Sequence, residues 1–373
     1  MTAGLSVSVD EVTHLLREHA ASNEQRRSLC GESVLALQRV DAFRLFVPEA
    51  YKGPNLSVLD SLRMLIELSE ADAAAGWCAT VASQTSHMAG NLDPLWASAV
   101  FGDPGSIANG AFAPSGRAKR VEGGYRLAGR WSWGSGCTVA DWISAGALTD
   151  DNEFLQLLVP AADVEIHDTW NPVGLCGTGS NDFSITDVFV PEGRYVAFGH
   201  ARPTVDAAIA RFPGFVLFGA GIASVMIGIA RRAVGETTEL SQEKRPAQSK
   251  KFVSDSPLSQ VELARADSLV RSAAAYLFTE VTAVCDLVDA GERVSVDYRL
   301  RVRQAVTFVS EQCIEAVDRC YRLGGGSSIH MSTALARCFR DIHTASAHIM
   351  VSARTFETVG RHLVGLPIDS NSL

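Results

Sequence analysis

The chain has 373 residues, enough for two or three domains that each bury a core. Hydrophobic residues make up 47% and charged residues 20% of the chain, which is typical of a soluble globular protein. The formal net charge is −9 and no block of basic residues is present, so nucleic-acid binding is not expected.

The eight cysteines form no Cys-x-x-Cys pair, and the first residues lack the apolar stretch of a secretion signal. We therefore predict free thiols and a cytoplasmic location, and we predict no metal site. The most apolar stretch, residues 212–230, is long enough to cross a membrane. Its glycines recur at near-helical spacing, which favours a tightly packed buried helix, so no membrane association is expected.

Residues 1–105 have a helical pattern. Val9, Val12 and Leu16 recur at steps of three and four residues, and the apolar residues of 59–68 repeat this spacing. The sequence therefore predicts a helical domain at the N-terminal end.

Residues 106–205 have the texture of β-structure. The Gly123-Gly124 pair lies between residues 118–121 and 125–129, which predicts a hairpin with a tight turn. Further strands are predicted at residues 142–147, 154–159, 164–168 and 183–190. Short strands at this spacing favour a small antiparallel barrel or sandwich.

Residues 206–373 return to long helical periodicity, interrupted at Ser256-Pro257, at Gly291 and at the glycine run of residues 324–326. Long helices with one apolar side pack as an antiparallel bundle. The predicted fold class is therefore α+β, in the order helical, β, helical.

Two histidines, His343 and His348, follow the glycine run in a segment with the pattern of an amphipathic helix. A run of glycines allows backbone to approach a ligand closely, and histidine is well suited to proton transfer near neutral pH. On one helix with about 3.6 residues per turn the two rings would point about 140° apart. Only one of them could then face a given ligand.

Two segments of the β zone have distinctive sequences. The first is residues 124–136, in the hairpin, and the second is residues 174–183, which lead to Val188-Phe189-Val190-Pro191. Both resemble signatures of the acyl-CoA dehydrogenase superfamily. With helical zones on both sides, the resemblance spans nearly the whole chain. It implies an N-terminal helical domain (1–105), a middle antiparallel β-barrel domain (106–205) and a C-terminal four-helix bundle (206–373).

Within the superfamily, the chain resembles the two-component flavin-dependent monooxygenases, such as the steroid-phenol and 4-hydroxyphenylacetate hydroxylases and the dibenzothiophene monooxygenase. Residues 129–136 match Gly-x-Trp-x-x-x-Ser-Gly and residues 177–180 match Gly-Thr-Gly-Ser. His348 matches a histidine near the Arg-Asp pair, and His87 matches a second histidine that follows a Gly-Trp pair.

This resemblance implies the oxygenase component of a two-component enzyme. It would take reduced FMN or FAD from a separate NAD(P)H-dependent flavin reductase and react it with O2 to form a C4a-hydroperoxyflavin. The product would be a hydroxylated small aromatic or polycyclic molecule. The resemblance also implies a homotetramer. No Gly-x-Gly-x-x-Gly motif follows a predicted strand, in keeping with a separate reductase.

The resemblance also implies the residues of the site. His348, His87 and Ser135 would be catalytic: His348 would move a proton, His87 would hold the distal oxygen, and Ser135 would contact the N5/O4 edge of the flavin. Of Trp131 and Trp133, one is expected in the core and the other, matched to Trp133, against the flavin. The predicted cofactor-binding residues are Trp133, Ser135, Gly136, Thr178, Ser180, Gly325 and Gly326.

Two other functions stay open on the sequence alone. An acyl-CoA dehydrogenase needs a carboxylate base, and the superfamily's spacing puts Ile349 at that position. The base would then come from an earlier helix, for example from Glu236 or Glu239. The third function is that of a non-catalytic flavin-fold binding subunit.

The site residues also have structural interpretations. His348 is compatible with a histidine on a helix face, with His343 as the alternative residue facing the flavin. Ser135 is compatible with a turn serine that closes a strand, and the glycine run with a helix C-cap.

Overall fold

The structure is a computed structural model that describes residues 8–197, 202–247, 249–370 and 373. Across these residues the chain forms eleven α-helices and seven β-strands. It divides into two compact units. The first comprises Met1–Ser61, Trp77–Asn171 and Cys176–Gly214, and the second comprises Leu62–Gly76, Pro172–Leu175 and Phe215–Leu373. The three-domain division expected from the sequence stays a prediction.

Helices dominate the chain before residue 102, as the periodicity predicts. Ser8 is the N-cap of the first helix, because its Oγ accepts a hydrogen bond from the Glu11 backbone N–H at 3.3 Å. The fifth begins with Pro94 after the capping side chain of Asp93, which accepts from the Leu95 N–H. The helices are α1 (Val9–Arg26), α2 (Gly31–Arg39), α3 (Val58–Ala71), α4 (Ala73–Ser86) and α5 (Pro94–Phe101).

The first unit contains the sheet. The predicted hairpin is confirmed: its two strands pair antiparallel around Glu122-Gly123, where Gly123 has a φ of 76°. The strands are β1 (Ala108–Val121), β2 (Gly124–Gly134), β3 (Trp142–Thr149), β4 (Phe154–Pro160), β5 (Glu165–His167), β6 (Asn181–Pro191) and β7 (Tyr195–Ala197).

The predicted antiparallel β-barrel is not confirmed, because the sheet of the described residues is not closed. The strand order is β5-β6-β2-β1-β3-β4-β7, so the sheet is open with β5 and β7 at its edges. Moreover, β1 pairs with β3 in parallel. After β2 returns along one side of β1, residues 135–141 cross to the other side, and β3 therefore runs in the same direction as β1.

Trp131 is at the centre of the sheet's core. Its ring is fully buried and stacks on Phe183 with 5.2 Å between ring centroids, and its Nε1 donates to the Gly146 carbonyl at 2.7 Å. The buried indole therefore has its N–H satisfied, as a tryptophan in a core requires. This confirms that one tryptophan of the Trp131/Trp133 pair belongs to the core.

The C-terminal part of the chain is helical, and most of it forms the second unit. The four-helix count expected for the bundle is not confirmed: in the described part three long helices are followed by two shorter ones that pack on the third. A short helix, α6 (Ala208–Arg211), precedes them in the first unit. The others are α7 (Gly214–Glu243), α8 (Pro257–Asp289), α9 (Val296–Gly324), α10 (Ala334–Ala345) and α11 (Arg354–Leu363).

The buried helix predicted over residues 212–230 is confirmed as part of α7. Gly228 packs so closely on α3 that an added Cβ would lie 2.5 Å from the Ile66 carbonyl oxygen. By length and composition α7 could cross a membrane, but 78% of its most apolar window is buried in the protein. Core helices share these properties.

The cysteines are free, as predicted. Burial raises the pKa of Cys137 and of Cys320 to about 11, so both are protonated thiols near neutral pH. Thiols in such surroundings are poor nucleophiles, and these two therefore act as small apolar core residues.

Candidate active site

Four residues of the first unit form a buried polar group, which we call the hydroxyl cluster: Trp77, Ser135, Thr178 and Ser180. Ser135 Oγ lies 2.8 Å from Ser180 Oγ, which in turn lies 2.7 Å from Thr178 Oγ1. Trp77 Nε1 donates to Ser135 Oγ at 3.0 Å. All four side chains are buried. The fold thus brings together residues from both sequence signatures and adds Trp77, to which sequence reasoning assigned no role.

The loop after β2 positions Ser135. Gly136 has a φ of 70°, and its N–H donates to the Thr178 carbonyl at 2.8 Å. An added Cβ on Gly136 would lie 2.3 Å from Asn109 Nδ2, so this position requires glycine for both its conformation and its space. Gly136 is therefore placed to shape the site through its backbone.

Asn109, in β1, is fully buried, and neither its Oδ1 nor its Nδ2 has a hydrogen-bond partner among the described residues. Leaving such a group unsatisfied costs about 1–3 kcal/mol. Buried polar atoms without partners are rare in folded proteins, and a role in binding or catalysis is one explanation for them. Asn109 therefore extends the polar wall beside Gly136 and the hydroxyl cluster.

Trp133 presents its ring to the outside of the first unit. Side chains two residues apart on a regular strand point to the same face, yet Trp131 is buried and Trp133 is 74% exposed. The difference arises because Trp133 has a φ of 63° and the pairing of β2 with β6 shifts between Trp131 and Gly134. This irregularity turns the indole out of the sheet, as expected for a ring that packs on a cofactor.

His87 has a backbone partner for its ring. Its Nε2 lies 2.9 Å from the Ile209 carbonyl oxygen and donates to it. Burial lowers the pKa of His87, so the ring is neutral near pH 7. This contact ties the end of α4 to the segment around α6, and the catalytic role of His87 stays a prediction.

We expect His87→Ala to lower the free energy of unfolding by about 1–2 kcal/mol, because the Ile209 carbonyl loses its donor. Chemical denaturation of the purified protein would measure this change. The exposed His14, which pairs with Glu18 on α1, offers the matched control His14→Ala, with no change expected. Unaltered stability together with lost product formation would instead support the catalytic role.

His348 lies in the second unit and is not on a helix, so its predicted helical placement is wrong. α10 ends at Ala345, where Ser346 Oγ donates to the His343 carbonyl at 2.8 Å. His348 has extended backbone angles and is the N-cap of a short 3₁₀ turn, Ile349–Val351. The angle of about 140° calculated for an ideal helix therefore does not relate the two histidines.

The surroundings of His348 determine its protonation. The Met350 N–H donates to Nδ1 at 3.2 Å, so the neutral ring carries its proton on Nε2. The Phe218 ring and the imidazole pack nearly perpendicular to each other, with 5.2 Å between centroids. Burial and, secondarily, the charge of Arg303 lower the pKa of His348 to about 4. At neutral pH this histidine is therefore an uncharged donor through Nε2–H.

Arg303 is a buried cation beside this histidine that sequence reasoning missed. Its Nη1 donates to the Met350 carbonyl at 2.7 Å, and burial lowers its pKa to about 10. No carboxylate pairs with it in the part of the chain that the structure describes. The sequence contains a signal for the burial of Arg303. The residue lies three positions from both Leu300 and Val306, which places it on the apolar side of α9.

His343 lies at the surface of the second unit. Its Nε2 is 3.0 Å from Asp318 Oδ1, and its ring packs edge-on against Phe339 with 4.6 Å between centroids. A hydrogen bond to a surface carboxylate gives this exposed histidine a structural explanation. It therefore serves better as a control than as a catalytic candidate.

The glycine run follows the end of α9. Gly325 has a φ of 52° and caps the helix, while Lys244 Nζ donates to the Gly324 carbonyl. An added Cβ at Gly326 would meet no atom of the described residues within 4 Å. The run thus caps α9, and its last residue, Gly326, has space beside its Cα. The cofactor contacts of Gly325 and Gly326 stay a prediction.

Asp341 has a positioning role that sequence reasoning did not assign. Its Oδ1 accepts the Leu175 N–H at 2.6 Å, so it attaches the start of the second signature to α10 within the second unit.

The positions considered for the carboxylate base of a dehydrogenase are less suitable. Ile349, which follows His348, is 77% exposed and has no group that could remove a proton. Glu236 is paired with Arg232 one helical turn away.

Comparison with known proteins identifies the class. Residues 220–353 match the family described as acyl-CoA dehydrogenase, C-terminal domain. Together with the mixed helix and sheet content, this shows that the chain has an acyl-CoA dehydrogenase-like fold.

Individual relatives give a finer similarity. The chain is 29% identical to the flavin-dependent monooxygenase oxygenase subunit HsaA of Rhodococcus jostii, over 96% of this chain and 98% of that protein. It is 27% identical to the indole-3-acetate monooxygenase of Pseudomonas putida, over 92% and 89% respectively. The structure of XiaF from Streptomyces in complex with FADH2 and glycerol superimposes with a TM-score of 0.90 at 27% identity, covering 96% and 94%. The predicted resemblance to flavin-dependent monooxygenases is confirmed.

Proposed function

We propose that the chain is the oxygenase component of a two-component monooxygenase that hydroxylates a small aromatic molecule. One atom of O2 enters the substrate as a hydroxyl group, the other leaves as water, and reduced flavin supplies the two electrons and becomes oxidised. The hydroxyl cluster is the observation that carries the proposal. It joins the two signatures matched in the sequence, in a chain similar over nearly its whole length to flavin-dependent monooxygenases.

The residues fit a flavin ring. Trp133 offers a flat apolar surface, and Ser135 and Ser180 offer hydroxyl groups that can donate or accept. The amide of Asn109 adds a donor and an acceptor that the protein leaves unsatisfied. Flat apolar surface with a few well-placed polar groups is typical of cofactor sites. The FADH2 complex of a relative favours FAD over FMN here.

Each predicted catalytic residue has a task that its surroundings support. His348 stays neutral near pH 7 and can donate through Nε2–H without introducing a positive charge. Arg303 holds the Met350 carbonyl, and the Met350 N–H holds Nδ1 of His348, so the ring orientation is maintained by a buried cation. Ser135 presents a hydroxyl whose position is set by Trp77.

The cellular context belongs to the same proposal. Relatives described as an oxygenase subunit support a separate NAD(P)H-dependent reductase that delivers the reduced flavin. We extend the proposal to a homotetramer in the cytoplasm, acting on phenolic, indolic or polycyclic substrates. The indole-3-acetate monooxygenase supports an aromatic substrate.

The test supplies the purified chain with chemically reduced FAD or FMN, phenol and indole substrates, and ¹⁸O2. We expect a product that carries one ¹⁸O atom, and no oxidation of NADH by the chain alone. Release of the oxygen only as hydrogen peroxide with every substrate, together with reduction of bound FAD by an acyl-CoA, would contradict the proposal.

A further inference from the structure

The hydroxyls of the cluster can donate hydrogen bonds in two directions. A tryptophan N–H only donates, so Trp77 always occupies one lone pair of Ser135 Oγ. Each hydroxyl has one proton and two lone pairs. The order of contacts, Trp77 to Ser135 to Ser180 to Thr178, therefore allows the three hydroxyls to donate in either direction along the row.

In the first arrangement Thr178 donates to Ser180, and Ser180 donates to Ser135. Both lone pairs of Ser135 are then occupied, and its own proton is available to an acceptor outside the cluster. In the second arrangement Ser135 donates to Ser180, and Ser180 donates to Thr178. Ser135 then keeps one lone pair for a donor outside the cluster. Only rotation of hydroxyl groups separates the two arrangements, because no heavy atom has to move.

A flavin ring also has two hydrogen-bonding states, one suited to each arrangement. Its N5 is a hydrogen-bond acceptor when the ring is oxidised and an N–H donor when the ring is reduced. We propose that Trp77, Ser180 and Thr178 are positioning residues that let Ser135 reverse its hydrogen bond to the cofactor with the cofactor's redox state. This inference rests on the proposed flavin-dependent function.

The inference predicts a selective defect. In the nearly isosteric Thr178→Val, the second arrangement leaves the buried Ser180 hydroxyl proton without its acceptor, whereas in the first arrangement Ser180 still donates to Ser135. We expect this variant to bind reduced FAD about fivefold to tenfold more weakly than the parent, with little change for oxidised FAD. Trp77→Phe removes the common anchor, so it should weaken binding of both forms.

Anaerobic calorimetric titration with oxidised FAD and with dithionite-reduced FAD would measure these dissociation constants, with thermal unfolding as a check of folding. Ser83→Ala is the matched control, because it removes a fully buried hydroxyl of the first unit that donates to the Ala42 carbonyl. Equal weakening of both forms, or no change, in Thr178→Val would overturn the inference while leaving the proposed function intact. A parent protein that binds neither form would overturn both.

Discussion

His348→Ala is expected to lower the rate of product formation by about 10²–10⁴-fold while the fold is retained. The substitution removes the Nε2–H donor of a ring that the Met350 N–H holds in one tautomer and that burial keeps neutral. Chromatography of the hydroxylated product, with hydrogen peroxide measured in the same samples, gives the rate and the fraction of reduced flavin that is wasted. We expect the peroxide fraction to rise as the product falls.

The matched control is His343→Gln, which alters the other histidine of the same segment. His343 pairs with Asp318 at the surface, and exposed pairs of this kind contribute little to stability. Product formation should therefore stay close to that of the parent. If His343→Gln lost activity and His348→Ala kept it, the assignment of the two histidines would have to be exchanged.

Arg303→Met should raise the pKa of His348 from about 4 towards its ordinary value of 6.5, because the buried positive charge beside the ring is lost. Burial, the larger cause, remains and keeps the pKa below 6.5. As the pH falls, the variant's ring takes up its proton earlier than the parent's. The low-pH limb of product formation should therefore move to higher pH.

Carbon-detected NMR of histidine-labelled protein follows this titration directly, with the His348 signal assigned by its absence in His348→Ala. Arg319→Met is the control on the same helix, since Arg319 pairs with Glu262 and Glu315. An unchanged His348 titration in Arg303→Met would mean that burial alone lowers the pKa. The proposed role of the guanidinium would then be limited to holding Met350.

Features that depend on neighbours in the chain were predictable. The hairpin between β1 and β2 follows from Gly123-Gly124, because the turn conformation needs residues that accept positive φ. The buried helix α7 follows from a long apolar stretch with glycines at helical spacing. The predicted helix through His348 failed because Ser346 hydrogen-bonds locally to the His343 carbonyl, a competition that apolar periodicity does not register.

The predicted antiparallel barrel was not confirmed for a different reason. Strand patterns indicate where strands lie but not which strands pair. The parallel pairing of β1 with β3 depends on how residues 135–141 cross the sheet. In the same way, Trp131 and Trp133 were separated by a register shift that no alternation pattern contains.

The sequence by itself determined the order of helical and β zones, the two glycine-containing signatures and the class of enzyme that these signatures resemble. Only the tertiary structure decided that Trp77 donates to Ser135, which tautomer His348 adopts and that Arg303 is buried without a carboxylate partner in the described part of the chain. The physical reason is separation along the chain. Trp77 and Ser135 are 58 residues apart, and Arg303 and Met350 are 47 apart. Such contacts, and the low pKa of His348 that burial produces, arise only when distant segments pack together.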